Sequence, residues 1–192
     1  MEEDDYEVLR LDSLFVNLNG GRTNVAIING KIPFEYNAID IAFGNFEAIL
    51  GEYEKINLER FELSDEEIVL NRIYMYTKLS KEEFNQVIPY ERDHLNLEIK
   101  ETTIADFDFK FVGDSLLVTA KSGDVSKLEL EVYRDKKPPD DLRNKFLYAK
   151  MLTSLPFQID IDTLSILDSS VSYKEEEEGK KNSGELRFEN LS

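Results

Sequence analysis

The chain has no cysteine and no tryptophan, and histidine occurs once. Without thiols there is no disulfide, no thiolate nucleophile and no cysteine-ligated zinc or iron–sulfur centre. The single histidine, His94, excludes histidine-rich metal sites. A Ser–His–Asp site would have to use it, yet it opens a strand beside Asp93 with no nucleophile-elbow glycines nearby. Cationic residues are also scarce: 23 Lys and Arg stand against 40 Asp and Glu, a formal charge of -17. Such a field repels phosphate backbones and anionic headgroups, so direct nucleic-acid binding is disfavoured and a basic protein surface is the favoured partner. No window approaches the ~20 apolar residues of a membrane span. The opening "MEEDDYEVLR" lacks the basic and apolar regions of a secretory signal. The expectation is a soluble, cytoplasmic protein that does not engage membranes. "NLNGGRTN" lacks the Gly-Lys-Ser/Thr ending of a phosphate loop and reads as a turn, so no cofactor is expected.

The length of 192 residues suffices for one core, and 12 Phe and 9 Tyr supply rings to fill it. One domain over residues 1–192 is expected, and no repeat of 20–50 residues is visible. Period-two alternation dominates. "YEVLRLDSLFVNL" reads as a strand, with "TNVAIING" returning as its partner after the paired glycines. In "EKINLERFELS", Ile56 and Leu58 alternate, then Phe61 and Leu63, and Arg60 breaks the phase as a bulge would. "HLNLEIKE", "IADFDFKFV", "SLLVTAK" and "SKLELEVYR" form an antiparallel meander with one apolar face. Its other face carries Glu98, Asp106, Asp108, Glu129 and Glu131.

Two capping-box patterns, Ser64 with Glu67 and Ser80 with Glu83, suggest helices. The second opens a short helix over 81–88, closed by Pro89. The first favours a helix from Ser64 to Leu79 over a strand through Ile73 and Met75. A third helix is expected over 139–154, from Pro139 and two N-terminal aspartates. "FQIDIDTLSI" returns to strand. At the C-terminus, Val171 and Tyr173 alternate in one segment and Leu186 and Phe188 in the next. A hairpin follows, with an acidic loop over 174–184. The fold class expected is α+β: antiparallel strands as a meander, sandwich or barrel, with two or three short helices.

Carboxylate pairs offer the remaining chemistry. Asp160 with Asp162, and Asp106 with Asp108, share strand faces and have the oxygen ligands Mg²⁺ takes, while Glu98-x-Lys100 weakly resembles the Glu-x-Lys element of metal-dependent nucleases. Alternating acids on a strand more often mark its wet face, so no catalytic or metal residue is assigned. The function expected is a non-enzymatic acidic protein that binds a basic macromolecule, of inhibitor, immunity or DNA-mimic type. Its candidate contacts are Asp65, Glu66, Glu67, Glu175, Glu176, Glu177 and Glu178. Alternatives are an assembly subunit that forms homo-oligomers through strand edges, a single-stranded nucleic-acid binder with an acidic C-terminal segment, and the carboxylate-metal nuclease.

Overall fold

Nearly every apolar residue in this chain recurs at strand period. The computed structural model describes residues 9–24, 35–64, 66–113, 115–140, 157–177 and 184–192. The strands are β1 (Leu9–Asn19), β2 (Ala38–Ile49), β3 (Glu54–Ser64), β4 (Glu67–Thr77), β5 (Asp93–Val112), β6 (Ser115–Asp135), β7 (Phe157–Leu167), β8 (Ser169–Glu176) and β9 (Gly184–Leu191). One helix, α1 (Lys81–Val87), links β4 to β5. All nine strands join one sheet in the order β1-β2-β3-β4-β5-β6-β8-β9, with β7 also on β6. β1 to β6 form an antiparallel meander. β7 and β8 both run parallel to β6 with one register offset, so they act as a single long strand interrupted at Asp168.

This overturns the α+β expectation. Strands hold 77% of the described residues and helix 5%, in a mixed sheet with one short helix. The expected helix from Ser64 to Leu79 is the strand β4. Ser64 faces Glu67 across a tight hairpin, and Ile68, Leu70, Ile73 and Met75 pair with β3 on one side and β5 on the other. Two flanking strands supply a complete hydrogen-bond ladder, which outweighs a local capping pattern. The helix expected at 81–88 is present with its full capping box. Most of the third, residues 141–154, lies outside the described residues. β1 pairs with β2; of "TNVAIING", the expected partner, residues 25–30 lie outside the described residues. The C-terminal hairpin forms as expected, with Val171 opposite Phe188 and Tyr173 opposite Leu186.

The phase break at Arg60 is one point of a line crossing the sheet. From β2 to β6 the register runs without a shift, yet each strand slips in side-chain phase along this line. The slips align at Asn45, Glu59, Arg72, Lys100 and Lys127, and the line continues to Asp168 between β7 and β8. Asn45, Arg72, Lys127 and Asp168 have φ of 51°, 54°, 55° and 50°. From β2 to β6 a left-handed residue in every second strand, with Asp168 directly beside β6, thus turns the backbone where an inserted bulge residue would otherwise be needed. A second line crosses β5, β6 and β7 at Asp106 (φ 52°), Lys121 and Asp162. Every residue on both lines is polar and exposed.

Each slip keeps the apolar residues on one face. Phe43 and Phe46 flank the first line three residues apart, and their ring centroids lie 6.2 Å apart, which opposite faces would forbid. At the second line, Ile161 and Leu164 both crowd the space where a side chain on Gly123 would point, at 3.8 and 3.2 Å. A side chain there would require Leu164 to give way by a few tenths of an ångström. At one end of the sheet α1 packs on the opposite, polar face. There Phe84 is fully buried among Tyr53, Ile88 and Leu79, with its ring edge-on to His94 at 5.6 Å.

Candidate functional site

The cross-strand pairings turn the alternation into rows. One row runs Ile56–Met75–Leu97–Leu130–Val171–Phe188 and the next Leu58–Ile73–Ile99–Leu128. Beyond the first line follow Phe43–Phe61–Leu70–Thr102–Val125–Ile166 and Val16–Ile41–Leu63–Ile68–Ile104–Gly123–Leu164. Beyond the second come Phe107–Ala120–Ile161 and Phe109–Val118–Ile159. In these six rows the one polar side chain is Thr102, whose buried hydroxyl has no hydrogen-bond partner. Phe43 and Phe61 stack at 4.5 Å between centroids.

Contacts between the described strands run chiefly along the sheet. On this face Leu58, Phe107 and Ala120 are buried, while Ile73, Leu97 and Leu130 are half-buried. Ile159, Leu164 and Ile166 on β7 stay 40–59% exposed. Monomeric proteins seldom leave a continuous apolar surface this broad uncovered, because each large side chain withheld from water contributes about 1.5–3 kcal/mol.

The opposite face is polar. Tyr74, Glu98, Glu129 and Ser170 form one row there, and Glu98 lies directly across from Glu129, a like-charge pairing that disfavours the sheet slightly. The Tyr74 hydroxyl donates to Glu98 at 3.3 Å. At the end nearest α1, an open basin of about 530 Å³ is lined by residues that include Tyr76, His94, Asn96, Glu131, Tyr133 and Lys174. His94 is engaged structurally: its Nε2–H donates to the Leu79 carbonyl at 2.9 Å. Lys81 lies over the Tyr133 ring at 5.2 Å.

The acidic candidates fall into two separated groups. Glu66 and Glu67 are exposed at the β3–β4 turn, and Glu67 pairs with Ala105. Glu175 and Glu176 lie in β8, opposite Arg134 and Asp135 near the far end of β5. The groups stand roughly 40 Å apart along the strands. Asp65 and Glu178 lie outside the described residues, and Glu177 is exposed just past β8.

Glu175 and Glu176 are held within the fold. The Tyr133 hydroxyl donates to Glu176 at 2.9 Å, and Tyr173 donates to Glu175. Lys136 lies 3.2 Å from Glu91 and 3.6 Å from Glu175. The Tyr173 hydroxyl, then Lys136 and Arg134, hold Glu175 below the usual carboxylate range against its desolvation. Burial, then the neighbouring carboxylates, pushes Tyr133 and Tyr173 up to about 12.

The carboxylate pairs do not converge. Asp106 faces Lys121 at 3.8 Å, Asp108 accepts the Phe109 N–H, and Asp162 sits on the second line. Among the described residues no three Asp, Glu or His side chains group as metal ligands would. No described helix is long and apolar enough to cross a membrane. Sequence reasoning missed the continuous apolar face because it credited alternating apolar residues to a closed core. The signal was the three-residue spacing Leu58–Phe61, Leu70–Ile73, Ile104–Phe107 and Ile161–Leu164, repeated strand after strand. No family model, curated protein or solved structure matches this chain.

Proposed function

We propose that this is a non-enzymatic binding protein whose apolar sheet face takes long hydrocarbon chains. The observation that carries the reading is the run of apolar rows kept on one side by left-handed residues at Asn45, Arg72 and Lys127, with Val16, Ile159, Leu164, Ile166 and Phe188 on that side 40–59% exposed. The chemistry of the face selects the ligand class. An extended peptide laid there would bring N–H and C=O groups that the rows have nothing to satisfy, at several kcal/mol each by desolvation estimates. A single amphipathic helix satisfies its own backbone but is only about 10 Å across. Seven strand spacings make the sheet roughly 34 Å wide. Hydrocarbon chains carry no polar groups and lie side by side over any width.

The test is titration of the full chain with a fluorescent long-chain fatty acid. Saturable binding is expected. Leu164→Glu with Ile166→Glu should weaken it at least tenfold, while far-ultraviolet circular dichroism stays unchanged because both side chains are already exposed. Binding that is absent, or indifferent to these changes, rejects the reading.

A second reading keeps the basic macromolecular partner. It is favoured by the facing pair Glu98 and Glu129, whose repulsion an incoming lysine or arginine would relieve. It uses the polar face, so the double β7 variant should leave it intact. A Glu98→Gln, Glu129→Gln variant should abolish its salt dependence.

A further inference from the structure

We infer that β1 is a self-association strand that pairs antiparallel with β1 of a second copy, extending the sheet across a twofold axis. Among the described residues three strand edges have no further partner, β1, β9 and the outer side of β7, and they are defended differently. β9 alternates Glu185, Arg187 and Glu189, and β7 carries Asp160 and Asp162, charges that resist an incoming strand. The first part of β1 has Arg10 and Asp12, together with register shifts and Ser13 at φ 58°. The remainder, "LFVNLN" from Leu14 to Asn19, has no charge, proline or glycine. It pairs in continuous register with β2 from Phe15 onward. Leu14, Phe15 and Val16 are 60%, 57% and 51% exposed.

Phe15 is the sharpest anomaly. It pairs with Ala42 and alternates with Asn17, whose amide donates to Asp40 at 2.9 Å. It therefore places a phenyl ring on the polar face at the edge, beside a small neighbour that covers little of it. A strand added outside β1 would cover it.

The topology identifies the added strand. Following the pairings across the sheet, β1 and β9 point the same way, so a translated copy would offer β9 to β1 in parallel. A twofold-related copy offers β1 antiparallel, the stronger ladder, and closes the assembly at two copies. The same rotation leaves both apolar faces on one side. A contact of about six residues per chain falls well short of the ~1,600 Å² of a standard interface, so the dimer should be weak and concentration-dependent.

The absence of cysteine makes the test direct. Val16→Cys should yield a disulfide-linked dimer under mild oxidation at micromolar concentration, and Arg187→Cys on β9 should not. In sedimentation equilibrium the unmodified chain should show a monomer–dimer equilibrium that Val16→Lys weakens at least tenfold. A chain that stays monomeric at millimolar concentration overturns the inference. So does a dimer insensitive to Val16→Lys but lost in the Leu164→Glu, Ile166→Glu variant, since it would use the apolar face. A ladder of higher oligomers linking β1 to β9 overturns it as well.

Discussion

Single side chains anchor this sheet chiefly at the α1 end. Phe84 is the largest fully buried side chain among the described residues, so Phe84→Ala should cost about 3–5 kcal/mol in denaturant unfolding. Ser80 accepts the Glu83 N–H while Glu83 reaches back to the Ser80 N–H, and Ser80→Ala should cost about 1 kcal/mol. Tyr133 and Tyr173 give a pH signature. Their folded values near 12 lie above the ordinary 10.0, so the folded state favours the neutral phenol. That stabilisation is complete below pH 10 and is lost as pH rises towards 12. Urea midpoints should therefore fall across that window, and the Tyr133→Phe, Tyr173→Phe double variant should flatten the fall while losing about 0.5–1.5 kcal/mol per hydroxyl at neutral pH.

Among the elements, the left-handed lines make an internally controlled prediction. Lys127 sits at φ 55°, where a side chain is strained and glycine is not. Lys100 occupies the same line on the neighbouring strand without a positive φ. Lys127→Gly should be neutral or stabilising by up to about 1 kcal/mol, and Lys100→Gly should cost about 0.5–1 kcal/mol, by thermal melting. The same lines mark the limit of what was legible beforehand. Strand alternation, the capped helix after Ser80 and the Val171–Phe188 hairpin could be read because each depends on neighbouring residues. β4 could not, since Ser64-x-x-Glu67 fits a helix cap and a hairpin turn alike, and two partner strands decided between them. The apolar face was half legible: each row was visible, but that the rows share one side depends on backbone angles that residue type does not encode. The acidic candidates were legible as charges only. Their separation, and the tying of Glu175 and Glu176 to tyrosines, arise from pairing across strands far apart in the chain.

At the scale of the whole molecule, a single sheet of long strands has a measurable outline. A globular chain of this length has a radius of gyration near 16 Å. β6 alone, at 21 residues, spans roughly 70 Å if straight. Dilute small-angle scattering should therefore give a radius clearly above 16 Å, on the order of 20 Å, and a value at 16 Å would mean that a second layer covers the apolar face. The parallel seating of β7 and β8 on β6 also bears on how the chain reaches this form. β5 and β6 meet through a tight turn, with Val112 opposite Ser115, and each earlier pair also joins neighbours in sequence. β6 acquires its outer neighbour only after the segment 136–156 has closed, the slower step because loop entropy must be lost before any pairing compensates for it. During synthesis or refolding there is thus an interval in which β6, the longest strand, is an open template that a strand from another molecule can occupy first. Refolding yield should fall with protein concentration through that window, and the unpaired strand that decides it is β6, which the finished sheet conceals.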